Sequence, residues 1–257
     1  MQQVDFEMKP STRGGLAPKV IGATQADSRN WPATFVFRNP EGDSCTATAI
    51  GPRSILTAAH CIRNLAHGMV HIGNANIAAT CTRHPAYQKV PQSDPDWQAK
   101  GSSDFALCAT TGDLPIAQFE TIGTPQDVPQ KGDPILLLGF GCNKVNGVDQ
   151  SFGVLYQGDG KVTTTPAPPS YYIVTEGGAA VCFGDSGGGA YRSLDSAQQR
   201  RLLIGVNSLG NIATTSYLSS TGAAGFTKWA SAWAAQNQVQ ICGLHDNVKG
   251  CSRGRAK

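Results

Sequence analysis

Hydrophobic positions along this chain come in short runs, and most runs stop at a turn. Residues 34–37, Thr-Phe-Val-Phe, suit a strand. Residues 45–50 alternate polar and apolar and then meet Gly51-Pro52. Residues 54–57 read as another short strand, and residues 104–109 as a buried one. Residues 134–140 are nearly continuous in isoleucine and leucine, the pattern of a strand covered on both faces. Residues 171–175 and 202–208 are further strand candidates. Helical periodicity is sustained once, over 227–237, where Trp229, Ala232, Trp233 and Gln236 share a face. Many short strands and a single terminal helix predict an all-β barrel or sandwich. No internal repeat is visible in the sequence.

Composition supports that picture. Of 257 residues, 40% are apolar, enough for a substantial core, and only 15% are charged. Thirty glycines and fifteen prolines fit many strands joined by tight turns. Residues 1–19 carry Pro10, Gly14, Gly15 and Pro18 and read as a loose leader. The net charge of +3 is too small, without a basic stripe, to suggest a nucleic-acid partner. The basic cluster of Lys249, Arg253, Arg255 and Lys257 predicts a solvated tail over 241–257. No apolar run is long enough to span a membrane, so none is expected as a partner. The first nineteen residues lack the apolar stretch of a signal peptide.

Eight dispersed cysteines favour disulfides and an oxidising compartment, secreted or periplasmic; a secretory signal would then lie outside this sequence. No C-x-x-C pair suggests zinc. Eight cysteines allow 105 connectivities, and spacing alone does not choose among them.

Candidate chemistry centres on Gly184-Asp185-Ser186-Gly187-Gly188. Glycines let the backbone turn sharply and let a substrate carbonyl approach Ser186. The run also satisfies the G-x-S-x-G elbow of α/β-hydrolases, and it equally suits a plain glycine turn. A serine needs a base to take its proton, and a base histidine needs a carboxylate to fix its tautomer. Of five histidines, His60 sits among small residues beside Cys61 at the end of a strand. Asp104 enters an apolar strand, where an unpaired charge would be costly and a partner such as His60 would explain it. His67, His71, His84 and His245 read as solvated or structural, and Asp94, Asp96 and Asp113 as loop residues without a catalytic part.

Three segments, Thr57-Ala58-Ala59-His60-Cys61, Ser103-Asp104-Phe105-Ala106-Leu107 and Gly184-Asp185-Ser186-Gly187-Gly188, resemble the signature segments of the chymotrypsin-like serine proteases, in the same order. Val20-Ile21-Gly22, with Trp31-Pro32 downstream, resembles the mature amino terminus of that family, and Ser208-Leu209-Gly210 its substrate-pairing strand. The resemblance covers residues 20 to about 238. It implies two six-stranded antiparallel β-barrels with a C-terminal helix, divided as leader 1–19, barrels 20–125 and 126–240, and tail 241–257. It implies a serine endopeptidase working through an acyl-enzyme. Ser186 would be the nucleophile, His60 the base, Asp104 its orienter, and the N–H groups of Gly184 and Ser186 the oxyanion hole. It also implies a zymogen in which cleavage at Lys19–Val20 frees an amine that pairs with Asp185.

Further expectations follow from the resemblance. Ala180 would be the pocket floor, with Val181 beside it, Gly210 at the entrance and Ala224 on the wall. With no acid there, the pocket should favour aromatic or large aliphatic residues over lysine or arginine, so another protease would have to cut after Lys19. Disulfides are expected as Cys45–Cys61, Cys81–Cys108, Cys142–Cys182 and Cys242–Cys251. Gly189, Leu209 and Phe140 depart from the proline and two tryptophans usual at those positions. Residues 68–78 lack the acids of a calcium loop, so neither metal nor cofactor is expected. Expected partners are protein or peptide substrates, an activating protease and a protein inhibitor, with the chain a monomer. Two other readings compete: an α/β-hydrolase esterase using Ser186, Asp195 and His245, and a catalytically silent protease-fold binding protein. The lack of alternating strands and long helices weighs against the esterase. The presence of all three triad residues weighs against the silent protein.

Overall fold

The computed structural model describes residues 6–10, 23–39, 41–142, 153–195 and 200–252. Fourteen strands are named within them, and they form two barrels. In the first, the spatial order is β1 (Glu7–Lys9), β3 (Thr34–Arg38), β4 (Ser44–Gly51), β5 (Ser54–Thr57), β8 (Ala106–Thr110), β7 (Ala75–Arg83) and β6 (Ala66–Ile72). In the second it is β11 (Tyr172–Gly178), β14 (Thr215–Ser220), β13 (Arg201–Gly210), β12 (Gly189–Ser193), β9 (Pro134–Gly139) and β10 (Tyr156–Thr164), which pairs back to β11. A two-residue strand, β2 (Thr24–Gln25), adds to the outside of β10.

The period-2 pattern explains the first barrel. On β4 the alternation puts threonines and small apolar residues on opposite faces, and its sequence neighbours pair as antiparallel ladders. The core is aromatic and aliphatic: Phe35, Phe37, Ile55, Leu56 and Phe105 are almost wholly buried. Strand β9 is covered on both faces, as its unbroken apolar run predicts.

The amino-terminal segment departs from the sequence reading. Residues 6–10 are not loose: β1 pairs antiparallel with β3 and parallel with β6, and it closes the first barrel. Phe6 and Met8 are buried, and Phe6 stacks on Phe37 at 5.2 Å. Three residues are too short to announce a strand by alternation, and their burial depends on an opening left between β3 and β6.

The carboxy-terminal segment also departs from expectation. Residues 241–252 dock on the first barrel: Cys242 N–H donates to the Ile50 carbonyl at 2.7 Å, and Ser252 N–H to Phe119 at 2.6 Å. The helices are α1 (Trp97–Gly101) and α2 (Ala224–Asn237). On α2 the buried face is Phe226, Ala230, Trp233 and Ala234, while Ala232 and Gln236 are exposed. Phe226 docks on Phe105 at 4.5 Å and sets that rotation, one the periodicity of 227–237 did not contain. The chain ends therefore cross: β2 joins the second barrel, while α2 and the tail pack on the first.

Near the junction, Glu120 and Arg201 form a buried ion pair, with Nη2 2.5 Å from Oε1 and Nε 3.0 Å from Oε2. The guanidinium also lies 3.7 Å from the Trp31 ring. All eight cysteines are paired: Cys45–Cys61, Cys81–Cys108, Cys142–Cys182 and Cys242–Cys251. No helix among the described residues is long and apolar enough to cross a membrane.

Removing a fully buried methionine side chain leaves a cavity. Met8→Ala is expected to destabilise the fold by about 2–5 kcal/mol in chemical denaturation. An unchanged midpoint would show that β1 contributes nothing to the first barrel.

Candidate active site

Two short local structures carry the first-barrel residues. After β5, Ala58 and Ala59 are fully buried and fit a tight turn, Ala59–Cys61, that presents His60. The Cys45–Cys61 bridge ties this turn to β4. Asp104 lies just before β8 and is 1% exposed. Its Oδ2 is 2.6 Å from His60 Nδ1, and its Oδ1 accepts from the His60 backbone N–H at 2.9 Å. Ser208 Oγ, on β13 of the second barrel, donates to Oδ2 at 2.6 Å.

Electrostatics follow from that arrangement. Burial alone would push the Asp104 carboxyl up. The His60 ring, the Ser208 hydroxyl and the His60 N–H outweigh burial and hold it below the usual carboxylate range. Burial alone would likewise lower the His60 imidazole, but the Asp104 carboxylate outweighs it and holds it above the ordinary range.

Ser186 sits on the loop between Cys182 and β12. Gly184 and Gly187 have φ of 95° and 84°, a region open to glycine and strained for other residues. A Cβ at Gly187 would also lie 2.2 Å from both the Thr46 carbonyl and Thr57 Oγ1. Thr46 on β4 staples this loop to the first barrel. Its N–H donates to the Ser186 carbonyl at 2.7 Å, and its Oγ1 donates to the Gly184 carbonyl at 2.8 Å. The same Oγ1 accepts from Phe140 N–H at 3.1 Å. Among the described residues, the N–H groups of Gly184 and Ser186 donate to no protein acceptor.

Asp185 points the other way, into the second barrel. It is 1% exposed, and its oxygens accept from Gly141 N–H and Cys182 N–H, both at 2.8 Å. Burial pushes it up to about 7, against the pull of those two donors. No cation pairs with it among the described residues. Lys19 and Val20 lie outside the described residues.

His60, Asp104 and Ser186 line one cleft of about 470 Å³ between the barrels, together with Val181, Ser208, Leu209 and Gly210. Ala180 is not among the lining residues and is wholly buried. Val181 closes over Gly210, where a Cβ would come within 2.7 Å of Val181 Cγ2. Ala224, expected on the pocket wall, opens α2, and a Cβ on the next residue, Gly225, would be 4.0 Å from His84 Nε2.

Sequence reasoning missed several residues here. Thr46 reads as one position of an alternating strand, and only the packing of β4 against the loop gives it a role. Ser208, expected in the substrate-pairing strand, lines the cleft, and what the sequence did not show is that its hydroxyl donates to Asp104. Trp97 and Tyr172 line the cleft, and each meets Tyr217 edge to face, at 5.1 and 5.6 Å. Asp195 and His245 lie outside the cleft: Asp195 accepts from Arg200 N–H, and His245 Nδ1 from Ile241 N–H. Cys45, His60 and Cys61 cluster closely enough for a metal, but both sulfurs are in the disulfide and no thiolate is on offer.

Asp104→Asn would test the dyad. It removes the charge that holds His60 high and leaves burial to lower it. The acid limb of the kcat/KM–pH profile is expected to move to lower pH, with kcat down by roughly four orders of magnitude. An acid limb moved to higher pH would contradict this electrostatic account.

The Trypsin family model matches residues 20–230. Chymotrypsin-like elastase family member 1 of Macaca fascicularis is 25% identical over 144 residues, covering 50% of this chain and 53% of the relative. The Canis lupus familiaris protein of the same name is 26% identical over 144 residues, covering 50% and 54%. The Bos taurus protein is 25% identical over 196 residues, covering 66% and 72%. The chain spans about half the length of the first two relatives. The family match, the two barrels and the residues gathered at their seam agree, and the chain belongs to the trypsin family of serine proteases.

Proposed function

We propose that the chain is a serine endopeptidase acting through an acyl-enzyme. The observation that carries this reading is one cleft holding Ser186 and His60, with the Asp104 carboxylate buried behind the imidazole. Ser186 Oγ attacks the scissile carbonyl as His60 Nε2 takes its proton. His60 then gives that proton to the leaving amine, and water repeats the cycle on the ester. Asp104 holds the Nδ1–H tautomer and stabilises the imidazolium. The N–H groups of Gly184 and Ser186 receive the developing oxyanion, worth roughly 3–4 kcal/mol of barrier for one donor.

The pocket is proposed to take a small apolar side chain. Val181 packed over Gly210 narrows the entrance, which favours small side chains over the aromatic ones the sequence suggested. No acid among the residues lining the cleft near Val181 and Gly210 would pair with lysine or arginine. The name elastase carried by the similar proteins agrees with this reading.

Activation is proposed to follow cleavage at Lys19–Val20 by another protease, with the new amine docking on Asp185. Support comes from Asp185 itself, a buried carboxyl with two backbone donors and no cation among the described residues. Eight paired cysteines support an oxidising, extracellular or periplasmic setting.

A fluorophosphonate probe is expected to label Ser186 in the cut protein and to miss Ser186→Ala. On a peptide panel, cleavage after alanine or valine should dominate, and preference for lysine or arginine would overturn the pocket assignment. The uncut form should turn over substrate far more slowly than the cut form. Equal rates would end the zymogen reading.

Stability against pH checks the latch separately. Between about pH 4 and 7 the unfolded chain releases the Asp185 proton while the uncut folded chain keeps it. Uncut protein should therefore lose stability as pH rises through that window, by on the order of 1 kcal/mol per pH unit. Asp185→Asn, or cleavage that seats the amine, should flatten this slope. A slope unchanged by either would mean that Asp185 is not its source.

A further inference from the structure

The geometry points to a working role for the amino-terminal strand: Phe6 forms one wall of the pocket that receives the substrate side chain just beyond the scissile bond. The segment ahead of Lys19 therefore stays with the cut enzyme as part of its substrate site. This rests on the endopeptidase reading.

His60 borders two cavities. One is the cleft that holds Ser186. The other, about 240 Å³, has Phe6, Phe37 and Ile62 among its apolar walls, with Arg63 and Glu41 at its rim. The acyl side of a substrate lies with Ser186 and the Ser208–Gly210 end of β13. The leaving amine must receive its proton from His60. The chain beyond the cut bond thus departs past the imidazole, and the second cavity is the one on that path. Its apolar walls suit one medium-sized apolar side chain, and the Arg63–Glu41 ion pair, exposed at the rim, leaves polar backbone in water.

Phe6 is fixed there by contacts that do not need a covalent tether. Its N–H donates to the His67 carbonyl at 3.2 Å, and its carbonyl accepts from Met69 N–H at 2.9 Å. Its ring stacks on Phe37 with planes 28° apart. A Cβ on Gly68 would come within 2.5 Å of that ring, so only glycine lets the strand sit this close. Met8, wholly buried, holds the next inward position of the strand. Residues 1–19 contain no cysteine, so after a cut at Lys19–Val20 noncovalent contacts such as these and the β1 ladders would retain them.

The test is acyl transfer on full-length protein cut at Lys19–Val20. An alanine p-nitrophenyl ester, N-acylated, forms the acyl-enzyme, and glycinamide, leucinamide or phenylalaninamide competes with water for it. The aminolysis-to-hydrolysis ratio reads only the leaving-group side and does not depend on the fraction of folded enzyme. Leucinamide is expected to exceed glycinamide by about tenfold or more. Phe6→Ala should reduce that preference to under about threefold, and Phe6→Leu should restore part of it. Size exclusion with mass spectrometry should find residues 1–19 eluting with the cut enzyme. An unchanged preference in Phe6→Ala, or loss of the segment with the preference intact, would overturn the proposal while leaving the protease reading in place. Failure to form any acyl-enzyme on Ser186 would instead overturn the protease reading and this proposal with it.

Discussion

The Asp104 carboxylate sets the terms for the rest of the active site. It is an ion held almost entirely out of water, and such a charge is tolerated only while its oxygens are satisfied. Two donors come from His60, on the first barrel, and one from Ser208, on the second. The charge therefore stays buried only when the barrels meet in one register. That register also delivers a histidine with a fixed tautomer to the cleft. Thr46 repeats the requirement in neutral form, since its backbone and hydroxyl bind both sides of the nucleophile loop. Positioning Ser186 and positioning His60 are thus parts of one constraint on how two barrels pack.

The chain ends enforce that packing by crossing between the barrels. Strand β2 pairs with β10 of the second barrel, although the residues that follow build the first. Helix α2 and residues 241–252 do the reverse, laying Phe226, Trp233 and Cys242 against first-barrel neighbours. Strand β1 goes further and becomes a stave of the first barrel. Residues Glu7–Lys9 therefore have a structural part in the first barrel.

Asp185 shows the opposite use of burial. It has two backbone donors where Asp104 has three donors, one of them the His60 imidazole, and it sits near neutrality instead of low. The same residue type is an ion at one position and close to a neutral acid at the other, because of what surrounds each. A cation beside Asp185 would favour its charged form.

By itself the sequence determined what is local or carried by a motif. Short apolar runs located β3, β4, β5 and β8 to within a residue or two, and three short segments named His60, Asp104 and Ser186. What it could not determine was anything set by a distant neighbour. Residues 6–10 look like loop because three alternating residues carry no period, and only the gap between β3 and β6 makes them a strand. The α2 face was misjudged because Phe226 docks on Phe105, far away in sequence. Ala180 was expected as the pocket floor, yet it is wholly buried and its neighbour Val181 lines the cleft. Local pattern records which residues avoid water. Only the tertiary structure decides which of them meet, because burial is shared among segments whose separation in sequence leaves no trace in either one.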